Sequence, residues 1–252
     1  MKLIRFSYRE KIRWGVLKGD RVFEYARPPF GKTSVKKRPL PLSAVRVCAP
    51  VEPSKIILAG LNYRDHAAEL NMPLPKNPII FLKPPTTIIG PSDAIRYPAN
   101  VDRVDYEAEL AVVIKKTAKN IPEKDVPKYI LGYTCLNDVT ARTIQTADGQ
   151  WTRAKSFDTF CPIGPWIETK LDPSACRITA TVNNEIKQDS STSDFIFSIN
   201  YLISFISRCM TLLPGDVIAT GTPPGIGPLT VGDTVSITIE GIGSLTNQVV
   251  TA

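Results

Sequence analysis

Three features of the sequence predict a strand-dominated α/β or α+β fold with short helices around it, preceded by a small N-terminal β-meander. Apolar and polar residues alternate in the first 25 positions. Apolar runs of strand length recur through the rest, bounded by turn residues. The 22 prolines, about twice the usual share, punctuate the chain closely.

In the first segment Ile4, Phe6 and Tyr8 alternate with Arg5, Ser7 and Arg9, and Ile12, Trp14 and Val16 alternate with Arg13. That period places the aromatics on a core face and the cations toward solvent. Lys18-Gly19-Asp20 turns the chain into Arg21–Tyr25. Arg27 to Pro41, with Pro28-Pro29 and Lys36-Lys37-Arg38-Pro39, reads as an extended linker. The expected units are residues 1–50 and 51–252. Strands are expected at Lys55–Leu58, Ile79–Leu82, Glu107–Ile114, Thr179–Val182, Asp216–Ala219 and Asp233–Glu240. Helices are expected across Tyr63–Leu70 and Asp138–Thr146, and a more apolar one from Ser198 to Leu213.

Composition narrows the function classes. Apolar residues at 43% and charged residues at 22% exclude a disordered chain. No apolar run reaches the roughly 18–20 residues of a membrane helix, and charges at Arg9, Glu10, Lys11 and Arg13 interrupt any secretory core. Five widely spaced cysteines without a C-x-x-C pair argue against a disulfide framework or zinc ribbon, so a cytoplasmic setting is expected.

The formal charge of +7 invites a nucleic-acid partner, but its distribution opposes one. Residues 1–50 hold 13 Lys/Arg against 3 Asp/Glu, whereas residues 51–252 hold 18 against 21. Basic residues among six aromatics could form a single-strand platform; the period-2 pattern instead makes them two faces of a meander. Neither nucleic acid nor membrane is the expected partner, and weak steering of anionic substrates is a by-product.

The stretch Asp105-Tyr106-Glu107-Ala108-Glu109, running into Leu110-Ala111-Val112-Val113-Ile114, carries the chemistry. On one strand Asp105, Glu107 and Glu109 share a face, where like charges repel and burial is costly. A cation reverses that balance, and carboxylates with one histidine in the whole chain, His66, favour magnesium or manganese over zinc. A solvent-facing edge strand is the other reading of the same pattern. Asp138, Arg142 and Gln145, at i, i+4 and i+7, share one helical face. Asp138 there would complete a three-carboxylate cage and Arg142 would grip a substrate carboxylate; alternatively the two form an exposed ion pair.

Lys155 precedes a proline-closed loop, Cys161-Pro162-Ile163-Gly164-Pro165, and beside a metal would be a fixed cation for an enolate oxygen. Ala219-Thr220-Gly221-Thr222-Pro223-Pro224-Gly225 lacks the signatures of nucleotide loops but offers Thr222 and backbone amides to a carboxylate. His66 and Glu69, at i, i+3, could form a general-base pair on a short helix that the prolines at 73 and 75 would let move as a lid; a lone helix histidine with a purely structural role is the commoner reading of the same pattern.

Together these segments resemble the fumarylacetoacetate hydrolase family. GLNYRDHAAEL, IIFLKPPTTIIG, VDYEAELAVVI, LNDVTARTIQ, WTRAKSFDTFCPIGP, FSINYLISFIS and LLPGDVIATGTPPGIG occur in the family's order between about residues 56 and 243. The first 50 residues resemble the small N-terminal domain of bacterial members. The resemblance implies an α+β, β-rich fold, a mixed β-sheet roll with short peripheral helices, and a homodimer. It also implies one Mg2+ or Mn2+ per subunit on Glu107, Glu109 and Asp138. His66 and Glu69 then correspond to the dyad that handles water or a proton, and Lys155 to the active-site lysine. Arg142, Gln145, Thr222 and, more weakly, Lys83 correspond to substrate contacts, with Asp105 outside the metal's ligands. The longer enzyme that names the family uses a further aspartate, which has no counterpart placed here. The chain is nearer the branch of acylpyruvate hydrolases, oxaloacetate decarboxylases and hydroxyhepta-dienedioate isomerases.

Those activities share a pyruvate enolate. The expected reaction is hydrolysis of a C–C bond in an acylpyruvate, because the His–Glu pair supplies a water-activating base; decarboxylation of oxaloacetate and isomerisation of a hydroxydienedioate are the alternatives. A binding protein built on residues 1–50 is the competing class.

Overall fold

Two antiparallel strands paired side by side, Ala108–Ile114 and Ile130–Asn137, organise the molecule. The structure is a computed structural model describing residues 1–35, 38–69 and 71–252. Lys36 and Lys37 of the expected linker, and Leu70 at the end of the first expected helix, lie outside the described residues.

The largest sheet has twelve strands among the described residues. Its order is Leu40–Pro41, Arg21–Glu24, Lys11–Lys18, Lys2–Tyr8, Cys161–Glu168, Ile130–Asn137, Ala108–Ile114, Val217–Ala219, Ile56–Ala59 and Ile80–Lys83; Arg46–Val47 and Ile88–Ile89 pair off that path. A five-stranded sheet runs Glu185–Ser191, Arg177–Val182, Thr234–Ile239, Gly243–Thr251 and Ile95–Tyr97. The helices are short, at Arg64–Glu69, Arg142–Asp148, Thr152–Lys155 and Ile199–Cys209, as an α+β, β-rich fold requires. No helix among the described residues is long and apolar enough to cross a membrane.

Alternation along Ala108–Ile114 builds the core. Leu110, Val112 and Ile114 pack with Ile178, Ile237 and Leu245 of the five-stranded sheet. Ala111 and Val113 face the opposite way, against Ile56, Leu58, Val217 and Leu3. Each fully buried aliphatic side chain contributes about 1.5–3 kcal/mol, so this doubly covered strand is a stiff support for the carboxylates at its start.

That ribbon also changes sheets. Val104–Tyr106 pairs with Thr140–Ala141 in a separate three-stranded sheet, with Val104 opposite Ala141 and Asp105 opposite Thr140. Ala108 lies opposite Asn137 and Glu109 opposite Leu136 in the large sheet. The same register continued through the gap sets Glu107 opposite Asp138, and Asp138 N–H donates to the Glu107 carbonyl at 2.9 Å. The structure corrects two expectations here. Glu107 stands in a break between two strands, and Asp138 stands between strands too, since the helix begins only at Arg142.

The meander differs from its expected two faces. Ile4 and Phe6 are buried with Val22, but Leu3 is buried on the other side, and Arg5 is buried as well. The cause is that the chain turns back along Lys2–Tyr8 through the Phe6–Val47 pairing, setting Ala49 and Val51 in the cluster with Leu3 and closing over Arg5. Arg5 satisfies its guanidinium on the Ala49 carbonyl and on Glu52. Ile12, expected inside, is exposed because it pairs with Ser7 beside the hairpin tip, where Arg9 and Glu10 have φ of 50° and 62°. Those values suit a tight two-residue turn. The segment Cys161–Glu168, read as a loop at its start, is a strand. The third helix ends at Cys209 rather than Leu213, starting from the Ser198 side-chain cap on Tyr201 N–H.

Candidate metal centre and active site

The break at residue 107 brings three carboxylates to one point. Ligand oxygens of Glu107, Glu109 and Asp138 all lie within 4.8 Å of one another, and all three residues are buried. Glu107 and Asp138 face each other across the ribbon, a placement in which like charges repel. Glu109 joins them from the next turn of the pleat, its Oε2 accepting the Gly221 N–H at 2.8 Å.

Cations from neighbouring elements compensate this charge. Lys155 Nζ donates to Glu107 Oε2 at 2.9 Å and to Asp138 Oδ2 at 2.6 Å. Arg142, the first residue of its helix, donates from Nε to Asp105 Oδ2 at 2.8 Å and from its terminal nitrogens to Glu107 and Gln145. Arg103 holds Asp105 from the solvent side, from Nε to Oδ1 at 2.7 Å. Burial alone would raise the Glu107 carboxyl, but Lys155 and Arg142 override it and bring it down to about 2. Burial would likewise lower the Lys155 ammonium, and Asp138 with Glu107 raises it instead. Glu109 is different. Burial, then the charges of Asp138 and Glu107, push its carboxyl well above the usual range.

The residues present fit a divalent ion. The donor set is oxygen from three carboxylates, the chemistry of a hard cation. Asp138 Oδ1 has the Lys83 ammonium 2.6 Å away but no aligned hydrogen-bond donor. That oxygen therefore keeps lone pairs free for a cation among the three acids.

A cavity of about 310 Å³ opens above the carboxylates. His66, Glu107, Glu109, Asp138, Arg142, Gln145, Lys155 and Thr222 line it. The structure therefore brings eight of the ten expected site residues to one cavity. Glu69 stands behind His66, with Oε2 2.8 Å from His66 Nδ1 and Oε1 accepting the Gly225 N–H at 3.0 Å. In the tautomer whose Nδ1–H donates to this carboxylate, a neutral imidazole presents Nε2 as an acceptor. Lys83 does not reach the cavity. Its ammonium is buried behind Asp138, donating to the Val139 carbonyl at 2.8 Å and to that of Phe160; strand Ile80–Lys83 alternates, and Lys83 falls on the covered face.

Several residues that matter had no recognisable sequence signal. Leu61, Met72, Ile79, Phe81 and Trp151 form an apolar outer wall; Trp151 meets Phe81 edge-on with centroids 5.1 Å apart. Thr140 Oγ1 donates to the Asp138 carbonyl at 2.8 Å, bracing the residue opposite Glu107. Gln188, buried 80 residues away in sequence, accepts the Ala108 N–H.

The family described as fumarylacetoacetate (FAA) hydrolase, C-terminal, matches residues 55–250. The chain belongs to the fumarylacetoacetate hydrolase family. A second family, Rv2993c-like N-terminal, matches residues 1–50. Among solved members, 5-carboxymethyl-2-hydroxymuconate delta-isomerase from Mycobacterium smegmatis is 48% identical and superposes with a TM-score of 0.95, each chain covered in full. Maleylpyruvate hydrolase from Sphingobium sp. SYK-6, solved with manganese(II) and pyruvate, is 32% identical with a TM-score of 0.84, again over both whole chains. Oxaloacetate tautomerase Fahd2a of Rattus norvegicus is 46% identical over 84% of this chain and 71% of its own. The chain is thus a family enzyme with hydrolase, isomerase and tautomerase relatives, and its buried acid cluster can hold one ion.

Proposed function

We propose that this enzyme hydrolyses the C–C bond of an acylpyruvate in a divalent-metal-dependent reaction. The observation that carries the reading is one cavity with three carboxylates and Lys155 at its floor and the His66–Glu69 pair in its roof. Magnesium or manganese on Glu107, Glu109 and Asp138 would supply Lewis-acid stabilisation of charge on the 2-oxo oxygen.

The chain's own groups do the rest. Arg142, Gln145 and Thr222 orient the substrate's pyruvyl carboxylate. Lys155 offers a fixed cation where enolate charge develops. His66, held by Glu69, takes a proton from water as its oxygen attacks the distal carbonyl. The bond between that carbonyl carbon and C3 then breaks, its electron pair leaving as the pyruvate enolate, and His66 returns the proton to C3. The products are pyruvate and a carboxylic acid. The outer wall of Leu61, Met72, Ile79, Phe81 and Trp151 supports an acyl tail, since its five side chains are apolar.

A second reading is proton transfer at C3 of oxaloacetate or a hydroxydienedioate, with His66 as the shuttle. The 46% identity to the rat oxaloacetate tautomerase favours it. A manganese- or magnesium-supplemented panel of acylpyruvates, oxaloacetate and hydroxymuconate-type acids decides, with products identified. Equimolar pyruvate and acid from an acylpyruvate are expected; isomerised or ketonised product with no cleavage of any acylpyruvate selects the second reading.

A further inference from the structure

We propose that Gln188 is a positioning residue that commits the Thr222 hydroxyl to donate its proton into the cavity. The assignment rests on the functional reading above only in taking the acceptor to be the anionic end of a 2-oxo acid.

Gln188 lies on Glu185–Ser191, an edge strand of the five-stranded sheet, and is the fully buried residue of that strand. Its carboxamide is anchored at both ends by groups whose roles cannot change. Oε1 accepts the Ala108 N–H at 2.9 Å, and a backbone N–H can only donate. Nε2 donates to the Pro223 carbonyl at 2.8 Å, and a carbonyl can only accept. The orientation of the amide is thereby determined.

The second Nε2 proton goes to Thr222 Oγ1 at 2.9 Å. Thr222 must accept there, so its own proton points elsewhere. No acceptor for it is found among the described residues, and Thr222 lines the cavity while only 7% exposed. An anion in the cavity is the acceptor this arrangement leaves. Ala108 separates Glu107 from Glu109, so one carboxamide ties the start of the carboxylate strand to the loop that presents Thr222.

The loop has little freedom to compensate. At Gly225, with φ of +88°, a Cβ would lie 2.2 Å from the Lys187 carbonyl oxygen, so the loop is pressed onto the Gln188 strand. Replacing the amide by a carboxylate, Gln188→Glu, keeps the shape and inverts the polarity facing Thr222. The Thr222 proton would then turn to the new carboxylate and away from the cavity.

The test is a double-mutant cycle read by pyruvate binding to the manganese-loaded protein in calorimetry. Gln188→Glu and Thr222→Val are each expected to weaken pyruvate about tenfold, the worth of one hydrogen bond to a charged group, and the double variant no further. Manganese affinity should stay within about twofold in all three, and Thr222→Ser, which keeps the hydroxyl, should bind like wild type; should Gln188→Glu fail to fold, Gln188→Leu closes the same cycle. Additive losses, as a simple charge effect of Glu at 188 would give, overturn the assignment while the wild type still binds pyruvate. Wild-type protein that binds no pyruvate with manganese overturns the functional reading and the assignment with it.

Discussion

The floor and the roof of the cavity are built on opposite plans. In the floor, Glu109 and Asp138 are 1% and 0% exposed, each on backbone of the central ribbon; Lys83 and Lys155 converge on Asp138, and Lys155 and Arg142 on Glu107, from three other elements. In the roof, His66 rides on a helix of six residues and its partner Glu69 is 41% exposed at the side chain. The roof is tied down by a few bonds: Arg64 to the Phe195 carbonyl, Ser190 to the Asp65 carboxylate at 2.6 Å, Asp65 N–H to Asp194 at 2.9 Å, and Gly225 N–H to Glu69. The floor thus sets electrostatics with dense, mutually dependent charges, whereas the roof holds a proton-transfer group on a segment with few constraints. Damage to the floor should spread; damage to the roof should stay local.

Substitutions on the two sides sharpen that contrast. Glu109→Gln or Glu107→Ala is expected to cut metal-dependent turnover by about 10³-fold or more, the scale of several kcal/mol of lost charge stabilisation. Both should abolish manganese binding while far-UV circular dichroism stays native. Full activity of the wild type in EDTA would remove the metal from the scheme altogether. In the roof, His66→Ala should slow acylpyruvate hydrolysis about 10²- to 10⁴-fold yet leave manganese affinity unchanged; manganese loss equal to that of the floor variants would erase the distinction. His66→Ala should also depress decarboxylation of oxaloacetate far less than hydrolysis, and equal losses would end its role as water base.

Smaller effects test how far each side extends. Glu69→Gln weakens one hydrogen bond to the imidazole at a half-exposed position, so kcat should fall about tenfold with KM unchanged. Arg103→Ala removes an outer ion pair to Asp105 whose inner partner, Arg142, remains. Since exposed pairs contribute about 1 kcal/mol or less, kcat/KM should change less than about threefold; a larger loss would show that the floor's charge network reaches the surface.

The floor was the more legible of the two in the sequence, though not for its geometry. E-x-E beside an apolar run signals buried carboxylates, and their partner Asp138 was named correctly as a neighbour. Its placement was not, because the i, i+4 spacing to Arg142 mimics a helix while the actual constraint is cross-strand register with Glu107. Lys83 entered as a weaker substrate contact through the resemblance alone, and a short motif does not say which face of its edge strand is covered. Arg5 looked exposed because nothing local announces that the segment from Val47 to Glu52 returns along its strand and closes over it. Gln188, Trp151 and Met72 belong to segments brought together only by pairings far apart in sequence, which periodicity does not encode.

Where the ribbon passes between sheets, Glu107 and Asp138 occupy its knuckle, and their separation gauges the angle at which the two sheets meet. A cation held by them would bridge that joint, so mutations that splay the sheets from a distance are expected to retune its affinity without touching it.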